Sequence, residues 1–115
     1  MIAVIFEVVP APGRIDLYLD TARDLRPLLE SSEGFISIER FRSLTDPTRL
    51  LSLSFWRDEA AVKAWRNSEQ HRAAQSLGRN GAFDNYRLRI ASVVRDYGLN
   101  DRNEAPDDSR AFHAA

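Results

Sequence analysis

The stretch Ser54-Phe-Trp-Arg-Asp-Glu-Ala-Ala-Val-Lys-Ala-Trp-Arg-Asn-Ser-Glu-Gln-His71 decides how this chain folds. It opens on the aromatic end of a strand spanning residues 50–57. Asp58 then offers a side-chain oxygen to the free N–H groups of a first helical turn, and Glu59 suits the positive end of the helix dipole. The helix is predicted to run to about Asn67. Ser68 is placed to cap a further helical piece, Glu69 to Leu77, which Gly78 stops.

Working outward, Leu50-Leu-Ser-Leu-Ser-Phe-Trp-Arg57 is preceded by the turn Asp46-Pro-Thr-Arg49 and by Phe35-Ile-Ser-Ile-Glu-Arg-Phe-Arg-Ser-Leu44. Pro47 presets the turn's first central position, so residues 35–44 and 50–57 read as a hairpin. Ile2 to Val9, rich in β-branched residues and ended by Pro10, reads as a strand that is apolar on both faces. Residues 14–30 follow, with Ile15, Tyr18, Ala22, Leu25 and Leu29 on one helical stripe. Pro27 is expected to kink the last turn or end that helix early. Residues 86–97 read as the last strand.

The order β-α-β-β-α-β is an α+β, ferredoxin-like arrangement: an antiparallel sheet with both helices on one face. The predicted domain spans residues 1–97. Residues 98–115 form a polar, acidic C-terminal tail, mobile or packed on a partner subunit. The strands are apolar on both faces, with Ile36 and Ile38 set against Phe35 and Phe41. The face without helices is then an exposed apolar patch, and a second copy packed sheet to sheet is its simplest cover, which predicts a homodimer.

Bulk properties exclude several classes. The chain has 115 residues, 16 basic and 17 acidic side chains, and a net charge of -1. One small domain follows, with no field to draw a polyanion, so no nucleic-acid partner is expected. There is no cysteine, which removes disulfides and thiolate chemistry. The first residues lack a basic start and a small-residue cleavage site, and no apolar run approaches membrane-spanning length. No membrane association and a cytoplasmic location are the expectation. Two histidines without supporting carboxylate spacing recommend no metal site.

Gly34-Phe35, the stretch from Ser54 to His71, Gln75-Ser-Leu-Gly-Arg79 and Tyr86-Arg-Leu-Arg-Ile-Ala-Ser-Val-Val-Arg-Asp-Tyr97 together resemble the antibiotic biosynthesis monooxygenase (ABM) domain family. The resemblance covers about residues 1–97 and implies a dimeric α/β barrel. The family includes oxygenases that oxidise aromatic polyketides with O₂ and no cofactor, haem-degrading enzymes, and members acting on quinols.

The resemblance implies a cavity bordered by Trp65. It puts His71 where cofactor-free oxygenases can carry a proton-handling tyrosine, so Trp65 and His71 are the candidate catalytic residues. Six helical residues turn a side chain by about 600°, or 240° net, so His71 shares the face of Trp65 only if the helix breaks near Ser68. Trp56, Phe6, Phe55 and Gln75 are candidate substrate-binding residues, with Val4 or Ile5 helping to keep the pocket dry. Gln75 stands where haem-degrading members carry an iron-binding histidine, and Phe6 where they carry an asparagine. The arginine pairs Arg40/Arg42 and Arg87/Arg89, with Arg95, read as partners of Glu7, Glu39 or Asp96, or as one arginine holding an oxyanion.

The sequence therefore predicts a cofactor-independent monooxygenase acting on an electron-rich aromatic such as an anthrone, a quinol or a polyketide. The rival reading is a non-catalytic dimeric protein that binds a small hydrophobic ligand; a haem-binding or haem-degrading protein is the third, which Gln75 and Phe6 count against.

Overall fold

A computed structural model describes residues 1–68, 71–73 and 81–113 of the chain. Its elements are β1 (Ile2–Pro10), α1 (Ile15–Glu30), β2 (Phe35–Arg42), β3 (Leu50–Trp56), α2 (Glu59–Arg66), β4 (Phe83–Ser92) and a terminal helix α3 (Asp107–His113). The strands form a four-stranded sheet in the order β2-β3-β1-β4, every neighbouring pair antiparallel. This is the ferredoxin-like topology, with α1 and α2 packed on one side.

Strand register explains which residues meet the helices. Directly opposed residues point to the same face, and successive residues alternate. Four rows cross the helix-facing side. Phe35, Trp56, Ile2 and Ser92 form the first; Ile38, Ser54, Val4 and Ile90 the second. Arg40, Ser52, Phe6 and Leu88 form the third, and Arg42, Leu50, Val8 and Tyr86 the fourth. Trp56, Val62, Ala61 and Leu29 make one buried cluster on this side, and Val8, Tyr18 and Leu50 a second.

β2 departs from simple alternation. Its register shifts between Phe35 and Ser37. Phe35 therefore joins Ile38 on the helix side, where its ring meets Trp56 edge-on at 5.4 Å. Sequence alternation alone put Phe35 with Phe41 on the other face; the bulge reverses that assignment.

The ends of the elements have local causes. Asp58 caps α2 through its Oδ1, which accepts the Ala61 N–H at 2.9 Å. α1 continues through Pro27 to Glu30 instead of breaking. Pro27 lies on its exposed side, and the Ser31 and Ser32 hydroxyls donate to the Leu28 carbonyl at 2.9 and 3.0 Å, closing the helix end. β4 begins at Phe83 and stops at Ser92, rather than running from 86 to 97. Among the described residues its one neighbour is β1, and opposite Ile2 that partner runs out. Of the predicted piece Glu69 to Leu77, residues 71–73 are helical; the remainder and its stop at Gly78 lie outside the described residues.

Gly34 is the tightest junction. It has φ +82°, and a Cβ there would stand 2.5 Å from the Ala61 Cβ. Its carbonyl accepts the Arg57 N–H at 2.7 Å. Only glycine lets the start of β2 pass this close to α2.

The tail read as mobile or partner-bound carries its own contacts. Arg102 donates to the Gly98 carbonyl at 3.2 Å and to Ser109 Oγ at 2.7 Å. Its guanidinium lies 5.0 Å from the centre of the Tyr97 ring, and Ala105 is buried. Asp107 and Asp108 occupy the first turn of α3, where negative charge is favoured. No described helix is long and apolar enough to cross a membrane.

Candidate functional site

A cavity of about 260 Å³ lies between the sheet and the two helices. Val4, Phe6, Ile38, Leu88 and Ile90 supply its floor, Leu17, Tyr18, Leu25 and Leu29 of α1 one wall, and Val62 and Trp65 of α2 another. The lining is mostly apolar, as in small-molecule sites.

Trp65 and His71 stand together on its wall. Their ring centroids are 5.3 Å apart and their planes inclined by 31°. α2 ends at Arg66, and Asn67 leaves helical geometry. The Ser68 hydroxyl then accepts the His71 N–H at 3.2 Å, starting a new turn. This break supplies the rotation that a continuous helix would deny.

His71 is held near its neutral form. Burial lowers its pKa below the ordinary 6.5, and the charge of Arg66 adds to that; a contact with the Arg66 carbonyl opposes both. Nδ1 lies 3.4 Å from that carbonyl oxygen. A carbonyl only accepts, so this contact favours the tautomer with the proton on Nδ1 and leaves Nε2 as the free base.

Trp56 is 2% exposed and belongs to the core as much as to the cavity. Its Nε1 donates to Ser54 Oγ at 3.0 Å, so the indole N–H is already satisfied within the protein. Phe6 lines the cavity. Its ring lies 5.8 Å from Phe83 and 5.7 Å from Tyr86, and Phe83 in turn lies 5.7 Å from Tyr18. These four aromatics close one end.

Two candidates fall elsewhere. Phe55 does not line the cavity: it is paired with Ala3 on the face without helices, because its neighbour Trp56 already faces the helices. Ile5 follows it to that face, opposite Leu53, while Val4 stays inside. Gln75 lies outside the described residues.

The strand arginines divide in the same way. Arg89 meets Glu7 at 3.1 Å on the face without helices, and Arg42 donates to the Pro47 carbonyl at 2.8 Å. Arg40 lines the cavity, and its Nε is buried with no hydrogen-bond partner among the described residues. Ser52, buried and directly opposite Arg40 in the register, lines the cavity beside it. Tyr18, Tyr86, Ser52, Ser54 and Arg66 are wall residues that the sequence reading did not single out. For those on strands the available signal was parity with Trp56.

Comparison with known proteins gives a consistent picture. The profile of the family described as antibiotic biosynthesis monooxygenase matches residues 1–77. A relative named jasmonate monooxygenase ABM, from Pyricularia oryzae, is 45% identical over 101 residues, which cover 88% of this chain and 47% of the relative. The chain thus spans about half of that protein's length. The uncharacterized protein YqjZ of Bacillus subtilis is 31% identical over 93 residues, covering 81% of this chain and 79% of the relative. Among solved structures, Rv0793 from Mycobacterium tuberculosis superposes with a TM-score of 0.76 at 13% identity, covering 84% of this chain and 98% of that one.

Proposed function

Because the chain belongs to the antibiotic biosynthesis monooxygenase family, we propose that it is a monooxygenase that oxidises a small, electron-rich ring compound with O₂ inside this cavity, working without metal or flavin. The observation that carries the reading is the Trp65–His71 pair: a flat ring and a neutral imidazole on one wall of an apolar chamber. The jasmonate monooxygenase relative favours an oxygenase over a passive binder.

The chemistry asks for deprotonation, orientation and a dry site. With an anthrone, His71 takes a proton from the activated carbon. The resulting anion passes one electron to O₂, and the radical pair combines into a peroxide on that carbon. The peroxide regains the proton from His71 and loses water to leave a ketone. Anthrone plus O₂ thus gives anthraquinone plus water. Trp65 stacks on the substrate ring, Trp56 and Phe6 bound its place, and the wall of α1 excludes solvent.

The same reading has the protein acting as a homodimer. Its support is the face without helices, where Phe41 is exposed at 43% beside Ile5, Leu51, Leu53 and Phe55 of the central strands. A matching face on a second copy would bury these side chains.

Oxygen uptake by purified protein, with a panel of anthrones and quinols, tests the proposal. Uptake that requires the protein and falls by about 10²-fold in His71→Ala supports it. Uptake equal in the two proteins removes His71 from the mechanism. Ligand binding without uptake supports instead the non-catalytic binder, which the apolar walls would serve equally well.

A further inference from the structure

We propose that the cavity takes a ring compound bearing a permanent carboxylate, with Arg40 as the residue that selects it. This deepens the reading of the cavity as the ligand site and rests on it.

Three observations converge. Arg40 lines an apolar cavity, and its Nε is shut away from water without a hydrogen-bond partner among the described residues. Buried donors of this kind are ordinarily paired, and a guanidinium presents a planar fork of donors that fits a carboxylate. Second, the described walls carry two arginines, Arg40 and Arg66, and not one aspartate or glutamate. In a chamber of low polarity this imbalance favours an anion. Third, the Ser52 hydroxyl stands on the same face directly opposite Arg40, a second donor for the same group.

Placement distinguishes this anion from one that His71 would create. Trp65 packs, as Val4 and Ile38 do, against the buried cluster of Leu29, Trp56, Ala61 and Val62, which meets the sheet at Trp56 in its first row. Arg40 and Ser52 lie in the third row, two residues from Ile38 and Ser54, or about 7 Å. A ligand whose ring rests against Trp65 therefore brings to Arg40 a group attached near the ring's far side, not the carbon or hydroxyl beside His71. The carboxylate fixes which edge of the ring faces His71, so Arg40 governs orientation as well as affinity.

The test compares 2-naphthoate with its neutral isostere 2-naphthamide by isothermal titration near neutral pH. Wild type is expected to bind the carboxylate roughly tenfold or more tightly than the amide, as a charge-assisted pair in a dry site would give. Arg40→Met, which keeps bulk without charge, should bring the two affinities together, and Arg40→Lys should retain part of the preference. Unchanged circular dichroism and melting temperature establish that a variant is folded; Arg40→Gln takes the place of the methionine variant if that one is not. Equal affinities in wild type, no binding of the carboxylate, or a preference undiminished without the arginine would each overturn the proposal. Binding needs no turnover: a preference absent from wild type, or one that survives Arg40→Met, refutes Arg40's role with the oxygenase intact, and absent oxygen uptake with the Arg40-dependent preference intact does the reverse.

Discussion

Trp65 and His71 are six positions apart, yet their rings lie 5.3 Å from centre to centre because the helix stops between them. Burial beside the indole holds the imidazole's pKa below 6.5. Between the folded value and 6.5 the unfolded chain then binds more protons than the native one, so stability rises with pH across that window. The contribution is complete above 6.5 and disappears as pH falls through the folded value. Thermal melts from neutral pH down to about pH 5 should show a decline that is shallower in His71→Gln. Oxygen uptake by wild type should climb and level off with a half-point below 6.5, since only the neutral ring takes a proton. Parallel melting curves for the two proteins would contradict the burial argument.

Gly34→Ala is expected to cost roughly 1–3 kcal/mol, from overpacking against Ala61 and a left-handed backbone that a side chain resists. Urea melts measure it. Ala61→Gly in the same chain removes the atom that the new methyl meets, so the double variant should recover part of the loss. Strictly additive effects would show that backbone conformation alone was responsible.

Trp56 separates packing from hydrogen bonding. Trp56→Ala should destabilise by about 3–5 kcal/mol, the usual range for emptying a large aromatic site. Trp56→Phe keeps most of the ring but withdraws the donor from Ser54 Oγ, and the expected loss is about 1–2 kcal/mol. Guanidinium unfolding distinguishes the two. A phenylalanine variant as unstable as the alanine one would mean that ring shape dominates.

On the proposed pairing through the face without helices, wild type should sediment as a dimer and Phe55→Asp as a monomer, because the substitution sets a charge in the middle of that face. Phe6→Leu, two rows from Trp56 on the cavity side, should leave the sedimentation coefficient unchanged while altering ligand affinity. A Phe55→Asp protein that still sediments as wild type would place the seam elsewhere.

Much of this architecture was legible in the chain. Asp58 marked the start of α2, Pro10 the end of β1, and the stripe from Ile15 to Leu29 the buried side of α1. The break at Ser68 that returns His71 to Trp65 could be read from a single capping residue. Phe55 shows where the reading slipped. Both Phe55 and Trp56 looked like pocket aromatics, but adjacent residues of a strand cannot face the same side, and Trp56 already held the inner one. The bulge after Phe35 left no mark in composition, since each residue there suits a strand in either register. The end of β4 depended on where β1 ran out, a fact of pairing that no local pattern carries. In α3, Pro106 and the two aspartates after it were a start signal hidden in a segment that looked merely acidic. Arg40 carried a usable sign: two residues after Ile38, it shares that residue's face of the strand.

The alternation along β1 and β3 has a consequence for how such a chain can diversify. Val4, Phe6, Ser52 and Ser54 look into the cavity, while Ile5, Leu51, Leu53 and Phe55 look the other way. On the proposed function, selection for a new ligand and selection for a new mate therefore act on interleaved letters of the same two words, without competing for a single position. Substitutions can accumulate in either set alone, whereas one inserted residue would exchange the two sets at once.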